Sequence, residues 1–144
     1  MSKIFLIALI AMIIFQVMGI RMQSKRSSHL TTLMDNINKE DTFFELADKA
    51  EIEEKDAEYL QKCRVIRLWA DAFYNKEDDF KNTLDKIDLS VLTGKDGNVS
   101  LNEDAFFYLY LIIPHFLYTE KRNEQINLLN NKLKDVKADG TLIY

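Results

Sequence analysis

The 144-residue sequence contains one proline, four glycines and one cysteine. Proline and glycine are the strongest local breakers of regular structure, so their scarcity predicts long, uninterrupted elements. Hydrophobic residues make up 47% of the chain and charged residues 29%, which excludes an intrinsically disordered protein of low hydrophobicity. The sequence therefore predicts a folded chain built from a few long elements.

The single cysteine excludes two kinds of site within one chain. Cys63 has no partner for an internal disulfide, and a multi-cysteine zinc site needs more thiolates than one chain supplies. Because Cys63 lies on an apolar helical stripe, we interpret it as a small buried hydrophobe and not as a nucleophile. The sequence also lacks a Gly-rich phosphate loop, an HExxH motif and a GxSxG motif. These absences favour a protein that is not an enzyme and that holds no cofactor and no metal.

Negative charge is missing from the N-terminal part of the chain. No acidic residue precedes Asp35, whereas Lys3, Arg21, Lys25 and Arg26 are basic. Beyond Arg26 the chain retains 15 of its 19 Lys and Arg residues and all 23 Asp and Glu residues, so that part carries a net charge of −8. An acidic body binds nucleic acid poorly, because contacts with phosphate supply most of that affinity.

Residues 4–20 read IFLIALIAMIIFQVMGI and contain no charged side chain. As a helix they would span about 26 Å, close to the ~30 Å hydrocarbon core of a bilayer. We therefore predict a transmembrane helix over residues 4–20, within a membrane anchor and basic linker of residues 1–27. The alternative is a secretory signal peptide, in which Gln16 ends the apolar core and Val17-Met18-Gly19 precedes the cleavage site.

The charges that flank this segment predict where the remaining domain, residues 28–144, lies. Three basic side chains follow the apolar run, and only Lys3 and the α-amine precede it. By the positive-inside rule, the body of an anchored form faces the cytoplasm, and a lone free cysteine agrees with that reducing side. A cleaved form would instead be secreted or periplasmic.

The chain after residue 27 has a helical pattern throughout. Leu30, Leu33 and Ile37 share one helical face, residues 42–45 (TFFE) fit a capping box, and the acidic run 51–56 is typical of a solvated helix start. Residues 105–118 form a very apolar stretch of 14 residues, a length that suits a buried core helix better than a second membrane span. The sequence thus predicts an all-α domain of antiparallel helical hairpins.

Two parts of this domain correspond at a single offset, as the units of a helical solenoid do. The corresponding pairs are Phe80 and Ile126, Thr83 and Leu129, and Ile87 and Leu133.

The segment LWADAFYNKEDDFKNTLDKI, residues 68–87, resembles the turn and second helix of a tetratricopeptide repeat. Tyr74, Phe80 and Ile87 stand where that family places aromatic and apolar packing residues. Thr83 departs from the pattern by holding the position that is usually alanine, and no proline closes the repeat. The resemblance implies stacked hairpins that form a binding groove, and a generic antiparallel helical bundle is the alternative.

Residues 95–104 read KDGNVSLNED, in which three signals overlap. A calcium loop that ended at Glu103 would have Leu92 and Gly94 at early ligand positions, and neither offers a side-chain oxygen. The sequon Asn98-Val99-Ser100 requires exposure to a lumenal compartment. We favour the third interpretation, in which Ser100 to Glu103 is a capping box for the apolar helix that follows.

The function that remains is the binding of another protein, as a scaffold or accessory subunit. Aromatic side chains on the helices over residues 59–73 and 106–118 are candidates to line the binding groove. His115 lacks an acidic neighbour at helical spacing, so we interpret it as a core or boundary residue. The predicted partner-binding residues are Tyr59, Trp69, Phe73, Phe106, Tyr110 and Tyr118.

Overall fold

The computed structural model describes residues 29–93, 98–99, 104–134 and 137–138, together with Ile7, Leu9 and Ile10. Apart from a parallel bridge of two residues on each side, the regular structure of these residues is helical, which confirms the all-α class. The elements are α1 (residues 29–35), α2 (Glu40–Glu53), α3 (Ala57–Phe73), α4 (Glu77–Lys86), α5 (Leu89–Leu92), β1 (Asn98–Val99), α6 (Asp104–Phe107), a π-helical segment (Tyr108–Ile112), α7 (Ile113–Thr119), α8 (Asn123–Leu133) and β2 (Lys137–Ala138).

Helix α3 lies at the centre of the fold, because its apolar side chains point in two directions. Val65 and Leu68 enter one core cluster with side chains of α4, α6, α7 and α8. Cys63 and Ile66 enter a second cluster with side chains of α1 and α2. A surface helix buries one apolar stripe, whereas α3 is buried on two faces. It therefore connects the two clusters into one packed unit.

The turn between α3 and α4 has the same hydrogen bonds as the turn between α7 and α8. Each first helix ends in a Schellman motif, and a non-glycine residue, Asn75 (φ 59°) or Lys121 (φ 57°), occupies the left-handed region. The amides of Asn75 and Lys76 donate to the carbonyls of Ala72 and Asp71 at 3.3 and 2.8 Å, and those of Lys121 and Arg122 donate to Tyr118 and Leu117 at 3.1 and 2.9 Å.

These equivalent turns share the offset of 46 positions that relates Thr83 to Leu129 and Asn75 to Lys121. Thr83 and Leu129 are both buried. Helix α3 contacts α7, and α4 contacts α8. The second hairpin therefore stacks against the first with like helices adjacent.

The apolar stretch 105–118 packs one face into the core, where Phe106, Leu109 and Leu117 are buried, and it is not one regular helix. Phe107, Leu111 and Tyr118 on the same stretch are exposed. Ile113 donates its amide to the carbonyl of Tyr108, which is the wider bond of a π-helix. Pro114 follows at the start of α7, and it has no amide to donate to residue 110. The helix thus accommodates the proline by widening one turn immediately before it.

One predicted helix start is wrong, and a second is right only in part. Helix α2 begins at Glu40, so Thr42 lies inside it, and the residue before the helix, Lys39, makes no side-chain cap. Glu40 and Asp41 instead place negative charge in the first turn, where the helix dipole favours it. The acidic run 51–56 is divided, since α2 continues through Glu53. Asp56 alone starts α3, by accepting a hydrogen bond from the Tyr59 amide at 3.0 Å.

The predicted membrane helix over residues 4–20 lies outside the described residues, except for Ile7, Leu9 and Ile10, which are helical and exposed. Within the described ranges, none of the helices combines the length and apolar character that crossing a membrane requires. The predicted capping box at residues 100–103 also lies outside the described residues.

The left-handed turns generate a prediction about stability. Replacing Lys121 by glycine should raise the free energy of unfolding by roughly 0.5–1 kcal/mol, because relief at the left-handed position exceeds the added entropy of the unfolded chain. Asn75→Gly should give a smaller gain, since asparagine tolerates this region. Urea denaturation followed by circular dichroism measures both. Lys121→Ala is the control, because it keeps the β-carbon, and an equal gain in this variant would contradict the explanation.

Candidate aromatic interaction surface

Aromatic rings from three helices form a continuous chain of contacts. The chain starts at the buried Phe43 of α2 and passes through the C-terminal end of α3 to α7. We call its five outer members, Phe44, Trp69, Phe73, Tyr74 and Phe116, the aromatic surface. Successive ring centroids lie 5.3 Å apart for Phe43 and Phe44, 6.1 Å for Phe44 and Tyr74, 5.0 Å for Tyr74 and Phe73, 5.8 Å for Phe73 and Trp69, and 5.0 Å for Trp69 and Phe116.

Local structure explains how these rings come together. Trp69 and Phe73 are four residues apart on α3, so they lie on the same face. Tyr74 caps the C-terminus of α3, and its hydroxyl donates to the carbonyl of Ile37 at 2.8 Å. This bond holds the ring of Tyr74 beside Phe44 of α2. The stacking of α7 on α3 brings Phe116 against Trp69 with an edge-to-face angle of 85°.

The centre of the aromatic surface is open to solvent. Phe73 is 51% exposed, although its ring contacts three other rings, those of Trp69, Tyr74 and Phe116. Those three are each partly buried. Tyr118, which is 77% exposed, lies two residues beyond Phe116 on the same helix. A partly buried cluster with one exposed ring can accept an apolar side chain without rearrangement of the core.

Cationic side chains border the aromatic surface. The ammonium nitrogen of Lys76 lies 4.1 Å from the centroid of Phe44, and the guanidinium of Arg122 lies 5.5 Å from that of Phe116. Arg122 also donates a hydrogen bond to the carbonyl of Ala72, so a side chain of the second hairpin caps a carbonyl near the C-terminus of α3. These cation–π contacts give an otherwise apolar surface a positive rim.

The structure brings together only part of the predicted site. Trp69 and Phe73 lie in the aromatic surface, and Tyr118 lies beside it along α7. Phe106, only 1% exposed, packs in the core, where its ring lies 6.1 Å from that of Tyr110, and it presents no surface in this conformation. Tyr59 belongs to the other core cluster, with Lys62 above its ring at 5.2 Å.

Phe44, Tyr74 and Phe116 belong to the aromatic surface but were not among the predicted site residues. Tyr74 and Phe116 come from different hairpins, and the stacking of α7 on α3 brings both rings into contact with Phe73. The sequence signal for Phe44 was its position next to the core residue Phe43, about 100° around the helix from it, and its ring is only partly buried against the cluster of α1 and α2.

A polar cleft of about 110 Å³ lies between α2, α3 and α4. Its two arginines are already engaged: Arg64 donates to both carboxylate oxygens of Glu51 at 3.1 and 3.2 Å, and Arg67 donates to Asp48 at 2.8 Å. The hydrogen bond from Arg64 lowers the pKa of Glu51, and burial opposes that effect. The cleft therefore consists of ion pairs that join helices. It is lined by Glu51, Arg64, Arg67, Asp79, Asn82, Thr83 and Lys86.

Cys63 and His115 are of residue types that carry chemistry in many enzymes. Cys63 is buried, as predicted, and burial, with a smaller contribution from Glu54 and Glu51, raises the pKa of its thiol to about 12. His115 is exposed, which corrects the expectation of a core or boundary position. Among the described residues, no three His, Cys, Asp or Glu side chains are grouped as metal ligands would be.

The chain matches no protein-family model, and no match is found among curated proteins or among solved structures.

The environment of Cys63 predicts its reactivity. Because the thiol is buried and protonated, iodoacetamide at pH 8 should alkylate native protein at least a hundredfold more slowly than protein unfolded in urea. Mass spectrometry of timed samples measures both rates. An exposed cysteine introduced by Ser90→Cys in a Cys63→Ser background serves as the control. Equal rates for Cys63 in the native and unfolded states would contradict the buried position.

Proposed function

We propose that this protein is a membrane-anchored helical module that binds a protein partner through the aromatic surface and acts as a scaffold or accessory subunit. The observation that carries the proposal is the half exposure of Phe73 at the centre of rings from three helices. Exposed aromatic side chains that are held by their neighbours are typical binding hot spots, because they lose little conformational entropy on binding.

The positive rim supports a partner segment of a particular chemistry. Lys76 and Arg122 favour acidic groups, and the rings between them favour an apolar or aromatic side chain. We therefore propose that the partner presents an apolar anchor residue flanked by acidic residues. The stacked hairpins with equivalent turns support a tetratricopeptide-like arrangement, although its 46-residue offset differs from that family's period.

The second part of the proposal is the anchor. Residues 4–20 are apolar and uncharged, and basic side chains flank them, which supports insertion with the body in the cytoplasm. The alternative is a secreted or periplasmic binding protein released from a signal peptide. Val17-Met18-Gly19 favours that alternative, because small or tolerated residues precede a cleavage site.

The role of Phe73 can be tested by substitution. Phe73→Ala in the full-length protein should reduce recovery of a specific partner at least tenfold, since truncation of a hot-spot residue costs about 2 kcal/mol or more. Crosslinking and affinity capture with quantitative mass spectrometry provide the measurement. Once a partner is identified, the fluorescence of Trp69, the only tryptophan in the sequence, reports binding directly.

The matched control is Ile52→Ala, which also truncates an exposed apolar residue, 76% exposed on α2, outside the aromatic surface. Partner recovery should be unchanged in this variant. The proposal fails if Phe73→Ala and Ile52→Ala recover the same partners at the same level as the wild type.

The anchor can be tested by fractionation of tagged full-length protein. We expect the wild type to remain in the membrane fraction after a carbonate wash, and the double variant Leu9→Arg/Ile13→Arg to lose that association, because each arginine at mid-membrane costs about 2.5–3.5 kcal/mol. Lys3→Arg keeps the flanking charge and is the control. A soluble product of reduced mass in the medium or periplasm would instead support the signal peptide.

A further inference from the structure

One buried carboxyl group lies where the fold does not require a polar side chain. Asp71 of α3 is fully buried, and its Oδ2 accepts a hydrogen bond from the Thr83 hydroxyl of α4 at 2.6 Å. Its Oδ1 is also buried and accepts no hydrogen bond in the described part of the chain. An unsatisfied carboxylate oxygen in a core is costly, so the pair calls for a physical explanation.

The second hairpin shows what the same position holds elsewhere in this chain. At the 46-residue offset of the two turns, Asp71 corresponds to Leu117 and Thr83 corresponds to Leu129. Both leucines are buried in the core. A hairpin of this plan therefore packs with two leucines, and the Asp71–Thr83 pair is a polar substitute at an otherwise apolar contact.

Nearby cations do not pair with Asp71. Arg67, one turn earlier on α3, donates to Asp48 of α2 at 2.8 Å. The ammonium group of Lys76, in the turn, lies over the ring of Phe44. Both groups lower the pKa of Asp71 only slightly compared with the opposing effect of burial. The carboxyl group thus lies between two cations that other residues hold.

The charged groups on the other packed elements do not neutralise a charge on Asp71. Asp79 of α4 raises the pKa of Asp71 further, and Arg64 of α3 is engaged with Glu51 of α2. Arg122, at the start of α8, donates to a backbone carbonyl. Burial is the largest influence and raises the pKa of Asp71 to about 7, although the hydrogen bond from Thr83 opposes it.

We propose that Asp71 and Thr83 form a proton-controlled latch, in which the contact between α3 and α4 is tight when the Asp71 carboxyl carries a proton and loosens when it ionises. A neutral carboxyl keeps the Thr83 hydrogen bond and needs no counter-ion. A carboxylate places an uncompensated charge in the core, which separation of the two helices would expose to water.

The position of the latch connects it to the aromatic surface. The carbonyl of Asp71 accepts the Lys76 amide in the turn, and Trp69 and Phe73 lie two residues to either side. Loosening of α4 from α3 therefore changes the environment of Trp69 and Phe73. This inference concerns the protein alone and holds whether or not the aromatic surface binds a partner.

The direction of the pH effect follows from the two states of Asp71. The unfolded carboxyl has a pKa near 3.9, below that of the folded one, so the contribution of Asp71 to stability is greatest at low pH and falls until the folded group has ionised. Between pH 5 and pH 8 the unfolding equilibrium constant of the wild type should rise about a hundredfold more than that of Asp71→Asn. Urea denaturation of the full-length protein in mild detergent, followed by circular dichroism, measures this difference.

Two further measurements distinguish the ionisation of Asp71 from that of other carboxyl groups. Asp85→Asn removes an exposed carboxylate from α4 and should retain the pH dependence of the wild type. The emission of Trp69 should shift with a midpoint near pH 7 in the wild type and in Asp85→Asn, but not in Asp71→Asn. Identical pH profiles for the wild type and Asp71→Asn would overturn the proposal.

The proposal can still be tested if Asp71→Asn does not fold. Asp71→Leu/Thr83→Leu transfers the apolar pair of the second hairpin and should also abolish the pH-dependent difference. Carbon-13 NMR of the Asp71 carboxyl in the wild type needs no variant. A protonated carboxyl at pH 5.5 supports the latch, whereas a carboxylate at that pH overturns it.

Discussion

The fold depends on the burial of α3 between two apolar clusters. A different face of α3 contributes buried side chains to each cluster. Full burial of a Val, Leu or Ile side chain contributes roughly 1.5–3 kcal/mol, so the side chains that α3 places in the core provide a large part of the driving force for folding. They also hold α1 and α2 on one side of α3 and hold α4, α7 and α8 on the other.

Two-sided burial has a consequence for the polar residues of α3. Gln61 is buried and accepts hydrogen bonds from the Asp88 amide at 2.8 Å and from Arg64 at 3.3 Å. Arg64 in turn donates to Glu51 and to the carbonyl of Lys86. These contacts satisfy the side chains and join α3 to the elements on either side. Asp71 differs because, within the described ranges, only one of its oxygens accepts a hydrogen bond.

Sequence periodicity predicted the parts of the fold that depend on burial alone. Leu33, Phe43, Ile87 and one face of the apolar stretch 105–118 lie in the core, because hydrophobic spacing directly reports which face a helix buries. The helix ends were less predictable. Hydrogen bonds that involve backbone amides leave no clear mark on side-chain identity, so a turn built on Lys121 could not be recognised from composition.

The candidate site shows the same division between local and non-local information. Trp69 and Phe73 could be paired from their spacing on one helix. Phe116 could not be added, because its contact with Trp69 depends on how α7 stacks on α3. Phe106 was predicted as a site residue because it is aromatic, but its side chain lies in the core. An aromatic residue in a sequence does not reveal which side of its helix will remain open.

The π-helical turn before Pro114 also sets the orientation of everything that follows it. An α-helix advances by about 100° per residue, so one residue more or fewer in this segment would rotate α7 by that angle relative to α6. Phe106 before the turn and Leu117 after it both lie in the core, and Phe116 meets Trp69, only with the present number of residues. The number of residues in this short segment therefore determines the direction in which the side chains of α7 point. An insertion or deletion there would move Phe116 out of the aromatic surface, although the segment contains none of the residues of that surface.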